Sequence, residues 1–152
     1  MLSRRNPESG VTLVEVLVAL LILAFVALGV TSLLGVAIKQ NKLALERSLA
    51  TGLASGRLSQ LTSMPFRPAD EIDEYGLPGE IAYAGPPLTL VAGFGQIPGY
   101  PEYKRTVTFD YDTPVAGMMR VKVDVAWWSL AQSTEKMHSM VVYLHPAMEH
   151  VN

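Results

Sequence analysis

Residues 10–38 are the segment that most constrains this chain. From Gly10 to Ile38 the sequence is predominantly apolar and contains a single ionisable side chain, Glu15, near its start. About 20 apolar residues, each rising ~1.5 Å along a helix, cross the ~30 Å hydrocarbon core of a bilayer. We therefore predict a transmembrane helix over residues 11–38. A carboxylate at the centre of a membrane costs about 2.5–3.5 kcal/mol, so Glu15 is a candidate functional residue whose natural partner is a positive charge.

The first ten residues form a short polar leader. Arg4 and Arg5 give it a positive flank, which is expected to stay in the cytoplasm. A secretory signal has its small-residue cleavage site after the apolar core. Here the obvious small-residue junction, Ser9-Gly10, lies before that core. Cleavage at this junction would remove the leader, residues 1–10, and leave the apolar helix in the mature protein.

The run GVTLVEVLVAL at residues 10–20 resembles the N-terminal signal of the type IV pilin and pseudopilin family. The resemblance implies cleavage after Gly10 by a prepilin peptidase and N-methylation of the new first residue, Val11. It also implies that Glu15 pairs with the N-terminal amine of a neighbouring subunit during filament assembly. The sequence departs from the family pattern twice. Val11 stands where phenylalanine is usual, and Ser32 stands where many major pilins carry a helix-kinking proline.

Orientation in the membrane rests on this resemblance. Three basic residues, Lys39, Lys42 and Arg47, follow the apolar segment closely, so the count of basic residues alone does not place the N-terminus inside. As in the pilin family, we expect an inner-membrane protein whose C-terminal domain lies in the periplasm or in a filament at the cell surface.

Within the family, the chain is most similar to PilV-type minor pilins. The similarity is carried by the run SLLGVA at residues 32–37 and by Leu53-Ala54, Leu58 and Leu61 shortly before Pro65-Phe66. It implies a subunit that helps prime a type IV pilus or is incorporated into it, with other minor and major pilins as partners. A minor pseudopilin of a type II secretion system is the first alternative. A single-pass membrane-anchored binding domain in the periplasm is the second.

The helix is predicted to continue beyond the membrane as an amphipathic segment, residues 39–64, that stops before Pro65. Its apolar residues recur at helical spacing: Leu45, Leu49 and Leu53 in one row, and Ala50, Ala54, Leu58 and Leu61 in a second. Lys39, Lys42, Arg47 and Arg57 are assigned to the polar side. A third row of small residues, Ser48, Gly52 and Gly56, either admits close packing by a strand or neighbouring helix or consists of tolerated glycines.

Residues 65–102 have the composition of a loop, since thirteen of these 38 positions are proline or glycine. Residues 89–91 are the one candidate for a short strand. The acidic cluster 70–74 offers oxygen ligands that Ca²⁺ prefers, but the spacing and the glycine of an EF-hand are absent. A solvated acidic loop is therefore favoured over a calcium site.

Residues 103–145 predict three antiparallel strands, followed by a tail at 146–152. The clearest strand alternates Met119, Val121, Val123, Val125 and Trp127 with more polar residues. Trp128 is expected to point away from the helix. The third strand, residues 136–144, carries apolar residues on both faces. One apolar sheet face must be covered, and the amphipathic helix is the available cover. The predicted fold is therefore α+β and type IV pilin-like: a long N-terminal helix packed on a three-stranded meander.

The sequence does not suggest a catalytic or cofactor-binding site. The chain has no cysteine, which removes thiolate nucleophiles and cysteine metal ligands. His138 and His145 are seven residues apart and would face opposite sides of one strand, so together with His150 they do not suggest a metal site. From residue 65 onward there are eleven Asp/Glu and six Lys/Arg, a net charge of −5, which argues against nucleic acid as a partner. The sequence predicts a structural protein that is not an enzyme.

Overall fold

The computed structural model describes residues 11–65, 75–83, 85–129 and 132–145. These residues form one α-helix and five β-strands: α1 (Leu13–Ser63), β1 (Ile81–Tyr83), β2 (Leu88–Ala92), β3 (Tyr103–Tyr111), β4 (Met119–Ser129) and β5 (Thr134–Leu144). The predicted α+β layout, with a long N-terminal helix and an antiparallel sheet, is confirmed. The leader with Gly10, the acidic cluster 70–74 and His150 lie outside the described residues.

The chain divides into two units, Met1–Asn41 and Lys42–Asn152. In the described part of the first unit, α1 runs from Leu13 to the boundary with its apolar side chains exposed; Leu13 is 79% exposed and Phe25 71%. This segment is long and apolar enough to cross a membrane, and none of its most apolar window is buried. Such a segment near the N-terminus fits a membrane-anchored protein.

The second unit contains a five-stranded sheet in the order β1-β2-β3-β4-β5, and every neighbouring pair is antiparallel. The long central pair aligns Val107 of β3 with Val123 of β4, and Val123 in turn lies opposite Met140 of β5. Consecutive strands are therefore neighbours throughout, as in a meander.

The sheet has five strands, whereas the predicted meander had three. The candidate strand at residues 89–91 lies within β2 and joins the same sheet, and β1 is a three-residue edge strand beside it that was not predicted. Both strands are short and lie among prolines and glycines, so period-two alternation is too brief to indicate β1 or to place β2 in the sheet. Their pairing is fixed by neighbours distant in sequence: Leu90 of β2 lies opposite Val107 of β3 and is buried.

The core forms between the second half of α1 and one face of the sheet. Ala50, Ala54 and Leu61 of the helix are buried, as are Val121, Val123 and Val125 of β4. Burying a side chain of valine size or larger contributes about 1.5–3 kcal/mol, so this face accounts for much of the stability of the second unit. The predicted alternation along β4 is confirmed, since Trp127 is 4% exposed and its neighbour Trp128 is 52% exposed.

Arg57 was assigned wrongly to the polar side of the helix. It is 3% exposed and lies on the buried row of α1, between Ala54 and Leu61. One of its terminal nitrogens, Nη2, donates to Glu80 Oε2 at 2.7 Å and also to the backbone carbonyl of Tyr75. An arginine in a helix is normally exposed to solvent. Here the carboxylate of Glu80, which is distant in sequence, stabilises Arg57 inside the core.

Glu80 forms ion pairs with two arginines at once. Its Oε1 lies 2.5 Å from Nη2 of Arg105, a β3 residue that is 8% exposed, while Oε2 is paired with Arg57. Oε2 also accepts a hydrogen bond from the backbone N–H of Leu77 at 3.1 Å. Burial lowers the pKa of the Arg57 guanidinium, and the negative charge of Glu80 opposes that shift. The three side chains, which we call the Arg57–Glu80–Arg105 cluster, tie the helix to β3 and to the turn before β1.

The row Ser48, Gly52 and Gly56 does not face the sheet. All three residues are exposed, and a Cβ atom added to either glycine would meet no atom of the described residues within 4 Å. None of the five described strands therefore packs on this row. Packing by a neighbouring helix stays a prediction.

Glu46 attaches the middle of the helix to one end of the sheet. Its carboxylate accepts a hydrogen bond from the indole N–H of Trp127 at 3.2 Å, and its backbone carbonyl accepts one from the hydroxyl of Tyr103 at 3.3 Å. The two rings contact each other, with centroids 6.0 Å apart. Burial raises the pKa of Tyr103, and the charges of Glu46 and Glu102 raise it further.

We expect the stability of the second unit to fall at alkaline pH partly through Tyr103. Because its folded pKa lies above the ordinary value of about 10, its contribution is fully present below pH ~10 and is lost as the pH rises through the folded pKa. Urea unfolding between pH 8 and 12 measures this. Tyr103→Phe should flatten the decline and Glu46→Gln should reduce it in part. A decline of unchanged steepness in Tyr103→Phe would assign it to other groups.

Candidate functional site

The start of α1 is built around Thr12. The backbone N–H of Glu15 donates to the Thr12 hydroxyl at 3.3 Å, and the N–H of Val16 donates to the Thr12 carbonyl at 3.3 Å. Thr12 is thus the N-cap, and Glu15 is the third helical residue, the position of an acidic residue in a capping box. The Thr-x-x-Glu pattern at residues 12–15 is the sequence signal that indicates this cap.

Glu15 lies on an exposed and otherwise apolar helix surface. It lines a shallow groove with Val11, Val16, Ala19, Leu20 and Leu23. Val11, Glu15, Ala19 and Leu23 are spaced by four residues and therefore share one face of the helix. Val11 is 72% exposed, and Glu15 and Ala19 are exposed as well.

The charge environment of Glu15 is set by the helix itself. A carboxylate in the first turn interacts favourably with the positive end of the helix dipole, by roughly 0.3–1 kcal/mol at exposed positions. No Lys, Arg or His occurs between residues 11 and 38. At membrane depth the carboxylate therefore needs a cation that is not a side chain of this segment. An α-amine on Val11 would lie four residues away, about one helical turn.

The described residues contain no cluster of three or more His, Cys, Asp or Glu side chains that could hold a metal ion. His138 lies on β5 opposite Val125 of β4, and His145 follows the end of that strand. Both histidines belong to the second unit, and Glu15 belongs to the first. The candidate site therefore consists of Val11, Thr12 and Glu15 with the apolar face around them.

A family model described as the prokaryotic N-terminal methylation motif matches residues 5–31. The match begins in the basic leader and ends within α1, so it includes the predicted cleavage junction and Glu15. Neither the search of curated proteins nor the search of solved structures found a match to this chain. The matched motif is the signal of type IV pilins and pseudopilins. It implies processing by a prepilin peptidase and assembly with other pilins, in proteins that are generally structural.

Proposed function

Because this chain carries a type IV pilin-like prepilin signal, we propose that it is a minor pilin, similar to the PilV type, that helps prime a type IV pilus or is incorporated into it. Its role is assembly, and it catalyses no reaction. The observation that carries the proposal is the match at residues 5–31, which runs directly into a helix whose apolar side chains are exposed. Such a surface requires lipid or other helices around it.

The first step in this proposal is maturation. A prepilin peptidase cleaves after Gly10, and the new N-terminal residue, Val11, is methylated on its amine. The supporting geometry is that Val11 precedes the N-cap Thr12 by one residue, so cleavage leaves the helix start and its hydrogen bonds unchanged. The mature chain stays in the inner membrane through residues 11–38, with its sheet domain in the periplasm.

The second step is assembly through Glu15. A neighbouring subunit brings its N-terminal amine against the exposed Glu15 carboxylate, and the apolar face around Glu15 packs against the neighbouring helix. Opposite charges in a low-dielectric environment attract strongly, whereas either charge left alone is costly. The pair therefore sets the axial position of one helix against the next, and the assembled filament presents the sheet domain at the cell surface.

Glu15→Ala tests the assembly step. We expect leader removal to be largely intact, because the cleavage junction is unchanged, and incorporation into pili or into a complex of minor pilins to fall at least about ten-fold. A ten-fold loss corresponds to about 1.4 kcal/mol, less than the usual cost of leaving one buried charge unpaired. Immunoblots of sheared pili and of the membrane fraction measure the two quantities.

Ser32→Ala is the matched control, since Ser32 is exposed on the same helix and carries no charge. It should be processed and incorporated at the level of the unmodified chain. Normal incorporation of Glu15→Ala would contradict the proposal that Glu15 sets the axial position of one helix against the next. Equal losses in both variants would show that the helix surface matters but the carboxylate does not.

A further inference from the structure

A shallow depression lies on the sheet face opposite the helix. It is lined by Phe94, Glu102, Trp128 and Glu135 and has a volume of about 320 Å³. Trp128 and Phe94 are 52% and 51% exposed, although both are large aromatic residues. Exposed aromatic side chains grouped at one place are typical of binding surfaces. We call this group the Trp128 pocket.

The strand pairing explains why two carboxylates flank this tryptophan. Trp128 of β4 lies directly opposite Glu135 of β5. On its other side, Trp127 lies opposite Tyr103 of β3, which places Glu102, one residue earlier, beside Trp128. Because side chains alternate along β4, Trp127 points into the core and Trp128 points outward. The pocket is therefore built from both neighbouring strands and from the loop that carries Phe94.

The pocket is chemically suited to a cation, and one cation of the chain already uses part of it. Lys104 Nζ lies 5.3 Å from the centroid of the Phe94 ring and 2.6 Å from Glu135 Oε1. This is a cation–π contact combined with an ion pair. The Trp128 ring and Glu102 form the other part of the pocket, and within the described residues Glu102 makes no ion pair. An indole ring is the strongest aromatic partner for a cation.

We propose that the Trp128 pocket binds an arginine side chain of a partner protein. A planar guanidinium stacks on the indole ring of Trp128 and donates hydrogen bonds to the carboxylates of Glu102 and Glu135. Arginine suits this arrangement better than lysine because it is planar, less strongly hydrated and able to donate in two directions. The net charge of −5 from residue 65 onward attracts a basic partner segment. The proposal does not depend on the assignment as a minor pilin.

Titration of the full chain in detergent micelles with N-acetyl-arginine amide tests the proposal. The chain has two tryptophans, so the indole N–H resonances of an ¹⁵N-labelled sample report the pocket through Trp128 and the core through Trp127. We expect a saturable shift of the Trp128 resonance and none of the Trp127 resonance. N-acetyl-citrulline amide, a neutral analogue of the same shape, should bind at least about three-fold more weakly.

Variants separate the contributions of the pocket residues. Glu102→Gln and Glu135→Gln should each weaken binding about two- to five-fold, the range that exposed ion pairs support. Lys104→Ala should strengthen it about two- to five-fold, because it frees Glu135 and removes a like charge. Tyr143→Ala is the control: it removes an exposed aromatic residue of β5 that does not line the pocket, and it should leave binding unchanged.

Three results would overturn the proposal. Equal shifts with the arginine and citrulline probes would show that charge plays no part. Unchanged affinity in the chain with both Glu102→Gln and Glu135→Gln would remove the carboxylates from the site. Stronger binding of N-acetyl-lysine amide or tetramethylammonium than of the arginine probe would exclude a guanidinium as the preferred ligand.

Discussion

Replacement of Glu80 by glutamine is expected to lower the free energy of unfolding of the second unit by about 3–5 kcal/mol, the usual cost of removing one partner from a buried ion pair. The Glu80 carboxylate accepts hydrogen bonds from Arg57, Arg105 and the N–H of Leu77, and its side chain is 1% exposed. In Glu80→Gln two buried guanidinium groups lose their negative partner, and the new amide N–H₂ cannot accept from them. Urea unfolding in detergent micelles, followed by near-ultraviolet circular dichroism, measures the change.

Glu135→Gln is the matched control, since it makes the same substitution in an ion pair that is exposed. The side chains of Lys104 and Glu135 are 37% and 46% exposed, so we expect a change within about 1 kcal/mol. Apolar replacement of all three members, as in Arg57→Met with Glu80→Leu and Arg105→Met, should recover much of the loss. If Glu80→Gln were no more destabilising than Glu135→Gln, the Arg57–Glu80–Arg105 cluster would not contribute to the free energy of unfolding in the way that its burial indicates.

Gly10→Val is expected to abolish leader removal. The resemblance to prepilin signals places Gly10 directly before the proposed cut, and a glycine, which has no Cβ atom, allows close approach to the backbone there. A β-branched side chain there should leave the ten-residue leader on essentially all molecules. Intact-mass spectrometry of the purified chain distinguishes the full-length protein, which begins at Met1, from a mature form that begins at methylated Val11.

The unmodified chain and Glu15→Ala are the controls for this experiment, because both keep the cleavage junction. Both should begin at Val11 in cells with an active prepilin peptidase. A shortened product from Gly10→Val would contradict the cleavage assignment. An intact Met1 on the unmodified chain would instead favour a membrane-anchored domain that is unrelated to filaments.

Elements with a strong repeating pattern were predictable from the sequence. The alternation in β4 and the helical row Ala50, Ala54, Leu58 and Leu61 identified side chains that are buried or partly buried, whereas Leu45 of the neighbouring row is 61% exposed. These patterns work because each element has one buried face, and the period of that face follows from the backbone geometry alone. Glu15 was recognisable as a candidate because a lone carboxylate in an apolar segment is unusual, whereas Val11 followed from the resemblance to prepilin signals; the roles of both residues stay predictions.

Arg57 and β1 were not predictable in this way. Arg57 has the residue type of a solvated position, and its burial depends on the opposite charge of Glu80, 23 residues later. Strand β1 has three residues and forms because β2 offers it an edge. The Trp128 pocket likewise depends on strand register, which brings Glu102 and Glu135 to opposite sides of one ring.

The sequence by itself determined the exposed apolar helix, its carboxylate near the N-terminus and the one-sided strands, because each of these depends on residues that are close together in the chain. Only the tertiary structure decided which charges are buried and which side chains share a surface. Those outcomes depend on contacts between residues far apart in sequence, and a charge such as that of Arg57 is tolerated in a core only when a distant partner such as Glu80 compensates for the lost solvent.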